Sequence, residues 1–444
     1  MKPSHYNYIL SKDSKSYWYN GVSHKFFTLP KELGNKIKPL ICNPEILKES
    51  APSFYQKLVD NEFIIDDNVV KVLEEYTDLA PLHNPPNIIE IEVIRKRNLE
   101  TIHSKDYFLV ILPTLNCNYK CWYCIQNHIP SMMSQETITR IKKHIDYMID
   151  ERNITSLHIE WFGGEPFMYF KQVIAPISEY AIEKCDNAKI PFINSATTNG
   201  YFLSSDKIKD LKRLKFSGFQ ITLDGDKENH DKVKFQNGCD SAFVHTLGNI
   251  DKILSVLKDM NIVLRINYTH KTLTNKIVSQ INEYISPENR KQLTITPKKV
   301  WQESVDKNFQ SSTISILDEF NDYGYNAARM EIVDNFVPCY ANREYYNAIN
   351  YNGGVVKCTA CNDLYESNPP GQLQEDGKIE WKNNFDKLYQ EKSYENPKCL
   401  NCKYLPVCMG ICPRDHARKR NYCKMDAQDS NIETSLIDFI EHCK

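Results

Sequence analysis

No stretch of this 444-residue sequence approaches the roughly 18 to 20 consecutive apolar residues needed to cross a bilayer. Its start, Met1-Lys2-Pro3-Ser4-His5-Tyr6, lacks the apolar segment of a signal peptide. An excess of one charge is missing too: 55 Lys and Arg against 57 Asp and Glu leave a net charge of −2, too balanced for a surface built to hold a polyanion. There is no internal repeat and no low-complexity tract. The expectation is a cytoplasmic protein with neither a membrane nor a nucleic acid as partner. What is present is an ordinary globular composition, 41% hydrophobic and 25% charged, in a chain longer than one core usually organises. Two or three domains are expected.

Cysteine is the anomaly. Fifteen is a large number for a reducing compartment, where metal or catalytic use is favoured over disulfides. Three fall at 117, 121 and 124, eight fall between 339 and 423, and Cys42, Cys185, Cys239 and Cys443 stand apart, reading as small buried hydrophobes.

The first hundred residues alternate aromatic-rich strands (6–10, 17–19, 26–29) with amphipathic helices (31–40, 53–60) and a last strand (62–66). This suggests a winged-helix-like module over 1–100, closed by a connector carrying Pro81, Pro85 and Pro86. From Tyr107 the pattern becomes strand and helix in alternation, with strands expected at 107–112, 156–161, 192–197, 219–223, 262–267 and 293–296. Such alternation builds a parallel sheet, doubly wound or closing toward a barrel, over 101–330. Beyond about 330 periodicity fades into turns, glycine, proline and cysteine, so residues 331–444 read as a segment held by metal rather than by a core.

The run Cys117-Asn-Tyr-Lys-Cys121-Trp-Tyr-Cys124 follows the first of these parallel strands, placing three thiols at the carboxyl end of the sheet, where open sites in such folds lie. Structural zinc usually draws on paired C-x-x-C units; a C-x3-C-x2-C with Tyr123 before its last cysteine is far more specific. It resembles the radical S-adenosylmethionine (SAM) superfamily. The resemblance implies a partial (β/α)6 TIM-like barrel, a 4Fe-4S cluster on Cys117, Cys121 and Cys124 whose fourth iron binds SAM, and cleavage of SAM to a 5′-deoxyadenosyl radical. Tyr123 would contact the adenine. Gly163-Gly164-Glu165-Pro166 ends the second strand and matches the G-G-E-P motif of the family, offering close backbone approach and a counter-charge to the SAM ammonium. Thr198 and Asn199 end the third strand. Thr222-Leu-Asp224-Gly leads into His230-Asp231 and Lys234, where relatives carry S-L-D-G-x4-H-D-x2-R; the resemblance puts Thr222 on the ribose and Lys234, in place of arginine, on the SAM carboxylate. His230 reads as structural. Arg265 and Asn267 share a face of strand five and are candidates for a substrate or SAM contact.

The carboxyl-terminal cysteines resemble the SPASM domain of peptide maturases, which implies two auxiliary 4Fe-4S clusters, for a total of three. Position in that pattern gives the first Cys339, Cys358 and Cys412, with Cys361 the nearest further ligand, and the second Cys399, Cys402, Cys408 and Cys423. Sulfatase maturases carry an aspartate directly after the cysteine at 358; here that residue is Thr359. The basic run Arg414, His416, Arg418, Lys419, Arg420 reads as a solvated helix face. The resemblance therefore implies a maturase of a ribosomally made precursor peptide, with a leader bound by the first hundred residues through strand addition and electrons supplied by a flavodoxin or ferredoxin. A thioether or carbon–carbon crosslink is expected, with a peptide epimerase or dehydrogenase and a sulfatase-maturase-like enzyme as alternatives. The sequence assigns no catalytic acid or base.

Overall fold

A computed structural model describes residues 1–66, 88–303, 309–327, 338–360, 368–390, 394, 396–410, 412–418, 423 and 432–442. The expected connector with Pro81, Pro85 and Pro86, the candidate ligand Cys361, Cys443, and Lys419 and Arg420 of the basic run lie outside these residues. The chain forms two compact units, one of residues 1–103, 331–343 and 390–444 and one of 104–330 and 344–389.

In the first unit the opening strands are β1 (Lys2–Pro3), β2 (Asn7–Lys12), β3 (Lys15–Asn20), β4 (Phe26–Pro30) and β5 (Ile64–Ile65), with β2, β3 and β4 forming an antiparallel sheet. Alternation sends Tyr17 and Tyr19 to one face and Trp18 to the other. Both faces are covered: the tyrosines pack with Val407, Ile432, Leu436, Ile437 and Ile440, and Trp18 packs with Ile37, Leu47, Leu58 and Phe63. Leu47 comes from a helix, Pro44–Ser50, that periodicity misses because it buries only Pro44 and Leu47. The carboxyl-terminal helix Ile432–His442 is thus part of the same core as the amino-terminal sheet. Tyr8 donates its hydroxyl hydrogen to Lys403 O, Tyr17 donates to Glu441, and Lys12 pairs with Glu441 at 2.9 Å.

The second unit is organised by six strands that pair parallel in chain order: β6 (Asp106–Ile111), β7 (Ser156–Trp161), β8 (Phe192–Thr198), β9 (Phe216–Asp224), β10 (Asn261–Tyr268) and β11 (Leu293–Lys299). Helices Gln135–Asp146, Ala175–Ala188, Ile208–Arg213, Ala242–Val256 and Lys276–Tyr284 lie between them. Leu157, Ile159 and Trp161 are buried while the alternating His158 and Glu160 are only half-buried, so the helices cover one face. The other face is polar: Ser195 and Thr197 donate to Glu160, the latter at 2.8 Å.

Beyond β11 the short strand β12 (Asn326–Ala327) adds to that edge, and the sheet reaches eleven strands through β13 (Tyr346–Ile349), β14 (Gly354–Val356), β15 (Gly371–Leu373) and β16 (Ile379–Trp381) beside β6. The expectation that everything after 330 lacks a core therefore fails for 344–389, since Tyr345, Ile349, Val355 and Leu373 belong to the main apolar core. These strands hold only three or four residues, and β13 and β14 are buried throughout, so they show no alternation to read. Of the isolated cysteines, Cys185 is buried and Cys239 half-buried, but Cys42 is exposed, because it closes a surface 3-10 turn, Leu40–Cys42.

Candidate functional site

The site is built where the ends of β6 to β10 converge. Thr114 caps the start of the cysteine loop, its hydroxyl accepting from Asn116 N–H at 2.8 Å and donating to Ser131 O at 2.6 Å. The loop after β7 docks onto this segment backbone to backbone, Gly164 N–H donating to Thr114 O at 3.1 Å and Glu165 N–H to Asn116 O at 2.8 Å. Both glycines are required. Gly163 has φ +121, and a Cβ on Gly164 would stand 2.0 Å from Asn116 O, so the pair serves the approach of two protein loops.

Glu165 is fully buried. Its carboxylate accepts from Phe167 N–H at 2.9 Å, Thr198 Oγ1–H at 2.8 Å and Asn199 N–H at 2.8 Å, which binds the ends of β7 and β8 together. Burial pushes its carboxyl pKa up, while the backbone and hydroxyl donors pull the other way. Pro166 opens the 3-10 turn Pro166–Tyr169, where its missing N–H costs nothing. Asn199 then reaches back, donating from Nδ2 to Asn118 Oδ1 at 2.8 Å and lying 3.9 Å from Cys117 Sγ.

Cys117, Cys121 and Cys124 are free and half-buried. Tyr119 N–H donates to Cys117 Sγ at 3.4 Å, and His128 Nε2 lies 3.4 Å from Cys124 Sγ. Burial pushes Cys117 up to about 12 and Cys121 up to about 11, so without a positive centre these thiols stay protonated near neutrality. A metal cluster would displace those protons and hold the thiolates. The donor set fits one: three thiols on one short loop, none in a disulfide.

Tyr123 carries the loop to the far strands. Its hydroxyl donates to Asp224 Oδ1 and accepts from Asn267 Nδ2–H at 3.0 Å, while its carbonyl accepts from Gln302 Nε2–H at 2.8 Å. Burial, with Asp224 beside it, pushes the phenol well up. Lys234 is 2% exposed and forms an ion pair with Asp224 Oδ2 at 3.2 Å; its Nζ also donates to Thr222 O and, at 2.6 Å, to Thr222 Oγ1. His230 accepts from Asp224 N–H through Nδ1 at 3.1 Å and is fully buried, as befits a residue shaping the turn after β9.

The structure thus gathers Cys117, Glu165, Thr198 and Asn199 into one hydrogen-bonded set and Tyr123, Thr222, Asp224 and Lys234 into a second, tied by hydrogen bonds and an ion pair. Asn118, Gln236 and Gln302 join these sets unannounced by the sequence. Asn118 has a signal, lying inside the cysteine loop, but Gln236 reaches it at 3.3 Å from the segment after Lys234, and Gln302 follows β11 with no motif around it. Among the carboxyl-terminal cysteines, Cys339, Cys399, Cys402, Cys408, Cys412 and Cys423 lie in the first compact unit and Cys358 in the second. Among the described residues none of these is in a disulfide, and Cys358 is buried. Among the described residues no three His, Cys, Asp or Glu side chains converge on a single-ion site, and no helix is long and apolar enough to cross a membrane.

Residues 111–260 match the model of the radical SAM superfamily. A radical SAM cyclopropyl synthase, TigE, of Paramaledivibacter caminithermalis is 26% identical over 400 residues, 79% of this chain and 78% of that protein. A cysteine-type anaerobic sulfatase-maturating enzyme of Clostridium novyi is 25% identical over 185 residues, 40% of this chain but 46% of that enzyme. Among solved structures, histidine-tagged anSMEcpe with bound AdoMet superposes with a TM-score of 0.53 at 18% identity, covering 76% of this chain and 93% of that one, a likeness of fold. Residues 56–108 also match the acetokinase family model, and an acetate kinase of Thermosipho melanesiensis is 58% identical over 33 residues. That stretch is 8% of the kinase, too little to carry its activity.

Proposed function

We propose that this chain, which carries a radical SAM domain and whose homologues are enzymes, matures a ribosomally made precursor peptide by installing a thioether or carbon–carbon crosslink. The observation that supports it best is the cysteine loop wired to the ends of β7, β8, β9 and β10, with strands β6 to β11 read as a partial (β/α)6 barrel. The relative of greatest coverage named above is called a cyclopropyl synthase, and a cyclopropane ring is closed by a carbon–carbon bond. This favours the carbon–carbon arm. The similarity to a sulfatase-maturating enzyme spans under half of that protein, and Thr359 stands where such enzymes place an aspartate.

Cys117, Cys121 and Cys124 would hold a 4Fe-4S cluster, which with SAM supplies a 5′-deoxyadenosyl radical able to abstract hydrogen. The protein's share is positional. Gly163 and Gly164 let the loop after β7 close on the cysteine loop, Glu165 ties β7 to β8, and Tyr123 fixes the loop against β9 and β10. In our reading residues 1–100 recognise the leader, 101–330 carry the radical chemistry, and 331–444 hold two auxiliary clusters on Cys339, Cys358, Cys361 and Cys412 and on Cys399, Cys402, Cys408 and Cys423. A flavodoxin or ferredoxin would supply the electron.

Anaerobically reconstituted protein is expected to bind about twelve irons, the content of three cubanes, and to release 5′-deoxyadenosine from SAM. The Cys117→Ala/Cys121→Ala/Cys124→Ala variant should lose that release while retaining the other iron; undiminished release would refute the assignment. Leader binding is tested on the full chain, because helix Ile432–His442 completes the core of the amino-terminal sheet. Its calorimetric affinity for the encoded leader should depend on apolar side chains at alternate positions.

A further inference from the structure

Lys234 is committed to the protein itself. Its Nζ donates to Thr222 O and Thr222 Oγ1 and stands 3.2 Å from Asp224 Oδ2 as an ion pair. With 2% exposure, Lys234 is a clamp on the end of β9. Turning it toward a bound molecule would abandon Asp224, itself 4% exposed, without its counter-charge.

The neighbouring strand supplies another cation. In the parallel pairing of β9 with β10, Arg265 lies opposite Thr222 and Asn267 opposite Asp224, so all four side chains belong to the polar face. Arg265 Nε–H donates to Asn267 Oδ1 at 2.9 Å, and Asn267 Nδ2–H donates to Tyr123 OH at 3.0 Å. The guanidinium is therefore braced at the level of the cysteine loop, two hydrogen bonds from the ring that precedes Cys124. Among the described residues its terminal Nη1 and Nη2 groups have no hydrogen-bond partner. The neighbouring carboxylate is already engaged, since Asp224 is paired with Lys234 and accepts from Tyr123. The half-buried guanidinium keeps four N–H bonds free of protein acceptors and open to an anion, and its planar fork pairs bidentately with a carboxylate or a phosphate.

We propose that Arg265, rather than Lys234, receives the carboxylate of SAM. The inference rests on the reading of this site as a SAM pocket, and SAM offers one anionic group, its methionyl carboxylate. The arginine of the related pattern would thus have moved from the segment after β9 to β10 itself, with the lysine retained to hold Thr222 and Asp224 in place.

The test compares binding of SAM with binding of S-adenosylmethioninamine, the same sulfonium without its carboxylate, to the cluster-loaded full chain by equilibrium dialysis. Intact protein should prefer SAM. In Arg265→Gln that preference should fall by about tenfold or more, the worth of a hydrogen bond to a charged group, while affinity for the decarboxylated analogue changes little. Arg265→Lys should recover part of the preference and guards against a folding defect, as do iron content and near-ultraviolet circular dichroism of each variant. An unchanged preference in Arg265→Gln, with weakened binding of the precursor peptide instead, would overturn the proposal and assign the guanidinium to an acidic group of the substrate. If the intact protein bound neither sulfonium, the reading of the pocket itself would fall, an outcome distinct from the first.

Discussion

The hydroxyl of Tyr123 donates to Asp224 Oδ1, which joins the last turn of the cysteine loop to the end of β9. The same carboxylate carries the ion pair with Lys234 through its other oxygen, and the same phenol accepts from Asn267. Two strands and a loop are thus fixed by one short chain of polar groups. At its other end the loop is held by Asn118, which accepts from Asn199 and donates to Gln236.

Replacing Tyr123 by Phe keeps the ring but leaves Asp224 Oδ1 and Asn267 Nδ2 without a partner. The expected loss is about 1–3 kcal/mol of stability, the cost of unsatisfied buried polar groups. Urea denaturation checks the energy. Iron retained after gel filtration should fall as well, since the loop that bears the thiols loses its anchor.

Gly164→Ala should be far more damaging than Gly248→Ala. The first drives a Cβ to 2.0 Å from Asn116 O, a backbone atom that cannot swing aside, whereas nothing lies within 4 Å of a Cβ on Gly248, a residue of helix Ala242–Val256. Overpacking costs roughly 1–3 kcal/mol or more, while alanine for glycine inside a helix stabilises by about 0.5–1 kcal/mol. Opposite shifts in melting temperature are expected.

Lys234→Met leaves Asp224 as a buried carboxylate with no counter-ion and should cost about 3–5 kcal/mol. The double variant Lys234→Met/Asp224→Asn should recover most of that loss. Denaturation midpoints of the two single variants and the double variant give the coupling directly.

His144 makes the fold acid-sensitive. Its ring is enclosed between Tyr107 OH on Nε2 at 2.6 Å and Gly377 O on Nδ1 at 2.6 Å, an arrangement that suits the neutral imidazole, donating from Nδ1 and accepting at Nε2. Burial lowers its pKa to about 4. Because the folded pKa lies below the unfolded value near 6.5, the contribution is complete above about pH 6.5 and is lost as pH falls toward 4, about 3 kcal/mol in all. In His144→Gln the denaturation midpoint should drop less between pH 7 and pH 5 than in the parent.

Much of the second unit was legible because its strands are apolar runs punctuated by motifs. Ser156–Trp161 has the bounds that alternation gives, and the cysteine loop and Gly163-Gly164 fall where strand ends were expected. Strands β13 and β14 were invisible because three or four residues buried on both sides carry no period. The partners of the motif residues were hidden for a different reason. Nothing in the spacing of Gly164 reveals that its neighbour is Asn116 O, and nothing near Lys234 reveals that it turns back onto Thr222 and Asp224; both follow from how the loops close over the strand ends. Resemblance pointed to a candidate site, but the hydrogen bonding among its residues is a property of the folded chain.

The amino-terminal sheet shares its core with a helix about 400 residues later in the chain. Tyr17 meets Glu441 across 424 positions of chain, and Tyr19 packs in one cluster with Leu436 and Ile440. Ribosomes add about 5–20 residues per second, so β2, β3 and β4 emerge roughly half a minute before their cover exists. Until then, one face of aromatic side chains is exposed to solvent or to a chaperone. Assembly of this unit therefore waits for Ile432–His442, and a chain stalled or clipped before Ile432 should be a substrate for quality control even with its cysteine loop and parallel strands complete.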